Sequence, residues 1–62
     1  MRYIARMRII AGLTQREVAE KLGVPIRTFQ GWEMGNMGSM NLINAIKIAD
    51  FYGVKDLRDL LK

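Results

Sequence analysis

Glycines divide this chain of 62 residues into short segments, each of a length typical of a small helix. Gly12, Gly23, Gly35 and Gly53 each follow a run whose apolar residues recur at helical spacing. Glycine readily takes the left-handed conformation that commonly ends a helix. No segment alternates apolar and polar residues with the β-branched enrichment of a strand. The pattern predicts one compact all-α domain over residues 1–62, built of five short helices around a single small core.

The second and third segments carry the clearest boundary signals. Thr14 and Glu17 have the spacing of a capping box, which satisfies free N–H groups at the start of a helix. Gly23 is placed to end that helix, and Pro25 suits the first turn of the next one, which should end at Gly35. Two short helices joined by a glycine-containing turn form a helix-turn-helix, which we expect at about residues 14–35.

The last two segments are also predicted to be helical. Ser39 is a candidate N-cap for the fourth helix, which should end at Gly53. An apolar stripe along that helix is expected to face the core; it comprises Leu42, Ala45, Ile46, Ala49 and Tyr52. A fifth helix should begin near Asp56 and place three leucines on one side, namely Leu57, Leu60 and Leu61.

The residue types that are missing exclude most enzyme chemistry. The chain has no cysteine and no histidine, so it lacks disulfides, thiolate nucleophiles, imidazole bases and the usual zinc ligands. Its six carboxylates are dispersed, which disfavours a hard-cation site. We therefore expect no enzyme activity, metal or cofactor. Arg2, Arg6 and Arg8 interrupt the first apolar run, so no signal peptide or membrane segment is expected, and the lack of cysteine fits the cytoplasm.

The net charge of +4 lies entirely in the first half of the chain. Residues 1–31 hold six basic and two acidic side chains, whereas residues 32–62 hold four of each. A basic half attracts polyanions, so nucleic acid and an anionic membrane surface are both candidate partners. A merely solubilising surface is the alternative interpretation.

The sequence resembles the lambda-type phage repressor and Cro-like helix-turn-helix regulators, the Xre family, over nearly its whole length. The matching residues are Gly12-Leu13-Thr14-Gln15, Val18-Ala19-Glu20-Lys21-Leu22-Gly23-Val24, Thr28-Phe29, Trp32-Glu33, Gly35 and the tail Ile48-Ala49-Asp50-Phe51-Tyr52-Gly53-Val54. The resemblance implies a lambda-repressor-like fold that binds double-stranded DNA without a small-molecule ligand. It also implies a bacterial or phage-encoded cytoplasmic regulator that acts as a repressor and occupies a palindromic operator as a dimer.

The predicted third helix separates into two faces. At about 100° per residue, Gln30, Gly31 and Met34 fall within roughly 60° of Arg27, on the side opposite Phe29 and Trp32. The resemblance independently places base-reading positions at Ile26, Arg27 and Gly31. Arg27 has the chemistry to contact guanine and Gln30 that to contact adenine. The full set of expected DNA-binding residues is Thr14, Gln15, Arg16, Ile26, Arg27, Thr28, Gln30, Gly31, Met34 and Asn36.

Several of these positions have a second interpretation. Thr14 is explained equally well by capping, and Gly31 either lets the backbone approach DNA or reads nothing. The resemblance implies that Gln15 contacts phosphate at the start of the second helix. It also implies that Arg8 and Glu33 form a structural ion pair between the first and third helices.

The chain departs from the family pattern in two places. Asn36, Met37 and Gly38 stand where the family often has lysine or arginine for phosphate contacts, so this loop should bind DNA weakly. Lys55 stands where the family commonly has a capping serine, so the usual cap does not mark the start of the last helix. Because family members usually dimerise near this helix, we expect a weak homodimer through Lys55, Leu57, Arg58 and Leu61.

Apolar residues on surfaces that are usually polar support a different class of function. They are Ile9, Ile10, Ile26, Met34, Met37 and Ile43. A cluster of such residues would mark a contact surface. The alternative hypothesis is a protein-interaction module, such as an antitoxin or anti-repressor of the same fold.

Overall fold

In the part of the chain that the structure describes, four α-helices are followed by a final 3₁₀ turn. The computed structural model describes residues 2–38 and 40–61, with the backbone alone at position 61. The elements are α1 (Tyr3–Ile10), α2 (Gln15–Leu22), α3 (Ile26–Glu33), α4 (Leu42–Tyr52) and the 3₁₀ helix Leu57–Leu61. No strand occurs in these two ranges, and the all-α prediction is confirmed. None of the helices in them is both long and apolar enough to cross a membrane.

Local sequence signals set the boundaries of α2. The Thr14 hydroxyl accepts a hydrogen bond from the Glu17 N–H at 3.0 Å, and the Thr14 N–H donates to Glu17 Oε1 at 2.9 Å. This is the predicted capping box. The bond from the Thr14 N–H favours the charged carboxylate and is the main reason that the pKa of Glu17 lies below its ordinary value. Gly23 ends the helix with φ of +74°, a conformation that costs other residues roughly 1 kcal/mol or more.

The core forms around α3. Phe29 and Trp32 are fully buried on one side of this helix, and their rings meet edge to face with centroids 6.2 Å apart. Ile4 of α1, Val18 of α2 and Ile48 of α4 are also fully buried and belong to the same cluster. Because α1 and α2 pack against α3 and the core lies on the side of Phe29 and Trp32, the opposite side of α3 is left at the surface.

The last element differs from the prediction of a fifth α-helix. Residues Leu57–Leu61 form a 3₁₀ helix, in which the Asp59 N–H donates to the Asp56 carbonyl at 3.0 Å. The Asp56 carboxylate also accepts from the Arg58 N–H at 3.0 Å. This local bonding favours a tight turn, and the segment buries Leu60 against the core. A segment of five residues is too short for an α-helix to be stable by itself.

The fourth helix begins later than expected, and its buried face differs. It starts after Asn41, whose Oδ1 accepts from the Asn44 N–H at 2.8 Å, while the predicted cap Ser39 lies outside the described residues. Leu42 and Ile46 were expected in the core but are 67% and 45% exposed, whereas Ile48 is buried. The helix has apolar residues on every side, so their spacing alone does not identify the side that packs against the core.

Candidate nucleic-acid interface

The surface-facing side of α3 carries most of the predicted base-reading residues. Arg27 is exposed, and Met34, just after the helix, is 84% exposed. Thr28, Gln30 and Gly31 are half-buried, between this side and the core. The helix therefore offers one free side while the other is held by Phe29 and Trp32, as the helical spacing predicts.

One predicted base-reading residue is partly committed to the interior. Ile26 is half-buried and packs against the core cluster, as does Met37 beyond the helix. Its side chain therefore has less surface available for a partner than that of Arg27. Of the apolar residues expected at the surface, four are exposed, namely Ile9, Ile10, Met34 and Ile43.

The start of α2 lies beside α3 and contributes polar groups. Thr14 is exposed, but its hydroxyl already caps the helix. Arg16 is exposed and makes no ion pair among the described residues. Gln15 is half-buried, and both ends of its amide are engaged within the protein.

A chain of polar side chains connects α1, α2 and α3. Arg8 Nε lies 2.6 Å from Glu33 Oε2, and their side chains are only 17% and 7% exposed. Arg8 Nη1 also donates to the Leu13 carbonyl at 2.9 Å, which ties the loop before α2 to the same pair. Gln15 Nε2 donates to Glu33 Oε1 at 2.7 Å, and Gln30 Nε2 donates to Gln15 Oε1 at 3.1 Å. The four side chains fix α3 relative to the other two helices.

Electrostatics reinforce this arrangement. The hydrogen bond from Arg8 to Glu33 raises the pKa of the arginine, so the guanidinium stays charged. Burial raises the pKa of Tyr52 to about 12. The charges of Glu33 and Arg8 also act on this hydroxyl, and they shift its pKa in opposite directions. The Tyr52 hydroxyl is buried and has no hydrogen-bond partner among the described residues.

Sequence reasoning missed a cation at the end of α3. Gly35 has φ of +96°, and a Cβ atom built there would overlap the Arg2 guanidinium, which lies directly against the glycine backbone. The next residue, Asn36, is exposed and donates its N–H to the Gly31 carbonyl at 2.8 Å. Arg2 thus brings positive charge to a loop that has no basic residue of its own. No local pattern reveals this contact, because Arg2 and Gly35 lie far apart in the sequence, in different halves of the chain.

The residues expected at a dimer interface lie around the 3₁₀ helix. Lys55 and Leu57 are exposed, and Arg58 pairs with Asp56 at 3.0 Å in an exposed setting. The side chain of Leu61 lies outside the described part of the structure. Leu57 and Arg58 border an apolar cleft of about 230 Å³, which is also lined by Met37, Met40, Leu42, Ala45 and Leu60.

The arrangement offers hydrogen bonds and positive charge but no reactive centre. Within residues 2–38 and 40–61, no three acidic side chains gather where they could hold a metal ion. The chain contains neither histidine nor cysteine. Arginine and glutamine side chains around a half-free helix are suited to recognition of base edges and phosphates.

Comparison with known proteins agrees with this geometry. A family model described as a helix-turn-helix matches residues 4–60, which is nearly the whole chain. No curated protein and no solved structure gave a match. The chain therefore belongs to the helix-turn-helix family of Cro and phage-repressor type, the Xre family, whose domains bind DNA and are not enzymes.

Proposed function

We propose that this protein binds double-stranded DNA at specific sequences by placing the free side of α3 in the major groove. A regulator of this kind acts by occupying an operator, so the expected result is repression of transcription. The observation that carries this proposal is the division of α3 into a fully buried side and a free side headed by Arg27. A major groove about 12 Å wide admits one α-helix.

Contacts to bases and to phosphates have different sources. Arg27 is suited to a bidentate contact with guanine, and Gln30 presents an amide at the edge of the same side. Gly31 has no side chain, so the backbone of α3 approaches the base edges closely there. Phosphate contacts come from Arg16, from the second N–H of the Gln15 side-chain amide, which remains after the bond to Glu33, and more weakly from Asn36 in the loop that follows α3. Thr28 and Met34 flank the reading side, with Met34 placed to contact a thymine methyl group.

Arg2 is added to this interface as a phosphate contact. Its guanidinium lies against Gly35, at the point where the chain leaves α3. This position also favours a cation because the C-terminal end of a helix carries partial negative charge. The loop Asn36–Gly38 then needs no basic residue of its own.

A weak homodimer completes the proposal, because two half-sites of a palindrome require two reading helices. The apolar cleft bordered by Leu57 and Arg58 supports an interface at the 3₁₀ helix. Sedimentation of the wild-type chain and of Leu57→Glu tests this part. The wild type should associate at high concentration or on a palindromic duplex, and a strict monomer under both conditions would refute the dimer.

Binding to duplex DNA as a function of salt tests the function itself. The logarithm of affinity should fall linearly with the logarithm of salt concentration, because each neutralised phosphate releases counterions. Arg27→Ala should chiefly relax sequence preference, whereas Lys47→Ala, which removes an exposed charge from α4, should change neither preference nor slope. Affinity that is insensitive to salt would argue against DNA as the ligand.

Because an operator lies on DNA inside the cell, the proposed function also implies that the protein acts in the cytoplasm of a bacterial cell.

A protein-interaction module is the second candidate function. Ile10 is 78% exposed and lies next to Ile9 at the end of α1, where an isolated domain gains nothing from apolar side chains. The affinity for a protein partner bound there would change little with salt concentration, and an Ile10→Glu variant would lose that binding. DNA binding by the same variant should be unchanged.

A further inference from the structure

The hydrogen bonds between Glu33, Gln15 and Gln30 run in one direction. Glu33 accepts from Gln15, and Gln15 accepts from Gln30, so each amide nitrogen points towards the buried carboxylate. We infer that Glu33, acting through Gln15, fixes the orientation of the Gln30 amide and thereby selects adenine as the base that Gln30 reads. This inference rests on the proposed function, since it presumes that α3 faces the major groove.

The direction follows from the hydrogen-bonding capacity of each group. A carboxylate only accepts hydrogen bonds, and that of Glu33 pairs with the Arg8 guanidinium. Gln15 must therefore turn its NH₂ group towards Glu33, which leaves its carbonyl oxygen facing Gln30. That oxygen also only accepts, so Gln30 must turn its own NH₂ group towards Gln15. A free glutamine amide can rotate to exchange its oxygen and nitrogen, but here one orientation satisfies every group.

Gln30 consequently presents a defined pair of groups. Its Oε1 takes part in no hydrogen bond among the described residues, and one of its two N–H groups remains after the bond to Gln15. In the major groove, adenine offers an N–H donor beside an acceptor, whereas guanine offers two acceptors. Cytosine offers a donor only, and thymine an acceptor and a methyl group. Adenine is therefore the one base that satisfies both free groups of the Gln30 amide.

The location of Gln30 suits this role. It is half-buried at the border between the core side and the free side of α3, so its amide can contact Gln15 and a base at once. The bond to Gln15 orders the side chain before DNA arrives, which lowers the entropy lost on binding. Gln15 acts here as a positioning residue and Gln30 as the specificity-determining one.

Reversing the direction of the hydrogen bond between Gln15 and Gln30 provides the test. Lysine has only donors, so a Gln15→Lys variant still pairs with Glu33 but donates to Gln30, whose oxygen must then turn inwards. The outward NH₂ group would match the two acceptors of guanine. Gln15→Met is the matched control, because methionine has a similar length and shape but makes no comparable hydrogen bond.

The position read by Gln30 is first identified as the one whose preference is lost in Gln30→Ala, using a duplex enriched from a random pool. Affinities are then measured for duplexes that differ only at that position. The wild type should prefer adenine to guanine by at least about tenfold, a ratio equivalent to about 1.4 kcal/mol. Gln15→Lys should reverse the ratio towards guanine, and Gln15→Met should bring it near one.

Several outcomes would overturn the inference. An adenine preference that is unchanged in folded Gln15→Lys and Gln15→Met would show that the chain of bonds does not set specificity. A preference for guanine or thymine at this position in the wild type would do the same. If the wild type binds no duplex with sequence preference, the proposed function fails first, and that result is distinct from a specific binder indifferent to Gln15.

A measurement on the free wild-type chain removes any dependence on the folding of a variant. In nitrogen-15 NMR spectra, the side-chain NH₂ protons of Gln30 should exchange slowly with water and differ in shift, because one of them is hydrogen-bonded. Rapid exchange, with the two protons indistinguishable from those of an exposed glutamine, would contradict the inference directly.

Discussion

Removal of one member of the Arg8 and Glu33 pair should be far more damaging than removal of both. Glu33→Leu leaves a guanidinium that is only 17% exposed without its carboxylate, and Arg8→Met leaves a carboxylate that is 7% exposed without its cation. Stranding a charge in such a setting costs about 3–5 kcal/mol. A domain of 62 residues has a total stability of roughly 3–9 kcal/mol. Either single variant should therefore lose a third or more of that stability, and it should be unfolded if the wild type lies at the lower end of the range.

The double variant removes both charges and replaces them with apolar groups of similar volume. Its remaining defects are the Gln15 amide, which loses an acceptor, and the Leu13 carbonyl, which loses a donor. At about 1 kcal/mol for each lost hydrogen bond, the double variant should be about 2 kcal/mol less stable than the wild type. The two substitutions are thus strongly non-additive.

Urea denaturation followed by tryptophan fluorescence measures these differences. The chain contains one tryptophan, Trp32, which is fully buried next to Glu33 in sequence and reports on α3 directly. A coupling free energy of several kcal/mol is expected from the four-variant cycle. Two single variants that each lose less than about 1 kcal/mol, with losses that add, would refute the view that this pair is a desolvated anchor of α3.

Three further predictions follow from individual contacts. Tyr52→Phe removes a buried hydroxyl that lacks a partner among the described residues, so thermal melts should show equal or greater stability, and a loss above about 1 kcal/mol would contradict this. The pKa of Glu17 is lower in the folded state than its ordinary value of 4.5, so the charged carboxylate stabilises the fold at any pH above 4.5. This stabilisation is lost as the pH falls through the lower pKa of the folded state. Glu17→Gln keeps the capping geometry, so it should be less stable than the wild type at neutral pH and equal to it in acid. Arg2→Ala should reduce the slope of log affinity against log salt concentration for DNA binding by about 1. Arg6 is the control, because its guanidinium lies 5.9 Å from the centre of the Tyr3 ring, and Arg6→Ala should leave the slope unchanged.

The helix-turn-helix could be predicted from sequence because its signals are local. Two signals act within a few residues of their own position. They are the capping box formed by Thr14 and Glu17, and the glycines that end α2 and follow α3. The burial of Phe29 and Trp32 on one side of α3 follows from helical spacing alone. These features do not depend on where the rest of the chain lies.

The remaining features depend on contacts between distant residues. Apolar side chains surround α4, so only packing decides that Ile48 is buried and Leu42 exposed. The last segment carries the leucine spacing of an α-helix, but bonds to Asp56 hold it as a 3₁₀ turn. Gln15 and Gln30 have the side chains expected to contact DNA, and only the folded chain brings them within 3.1 Å of each other.

Selection from a random duplex pool tests most directly whether the free side of α3 reads duplex DNA. The wild-type chain should enrich a palindrome with a guanine and an adenine in each half-site, and Arg27→Ala should lose the guanine while keeping the rest. A pool from which no sequence is enriched, or the same complete motif enriched by Arg27→Ala, would contradict the account.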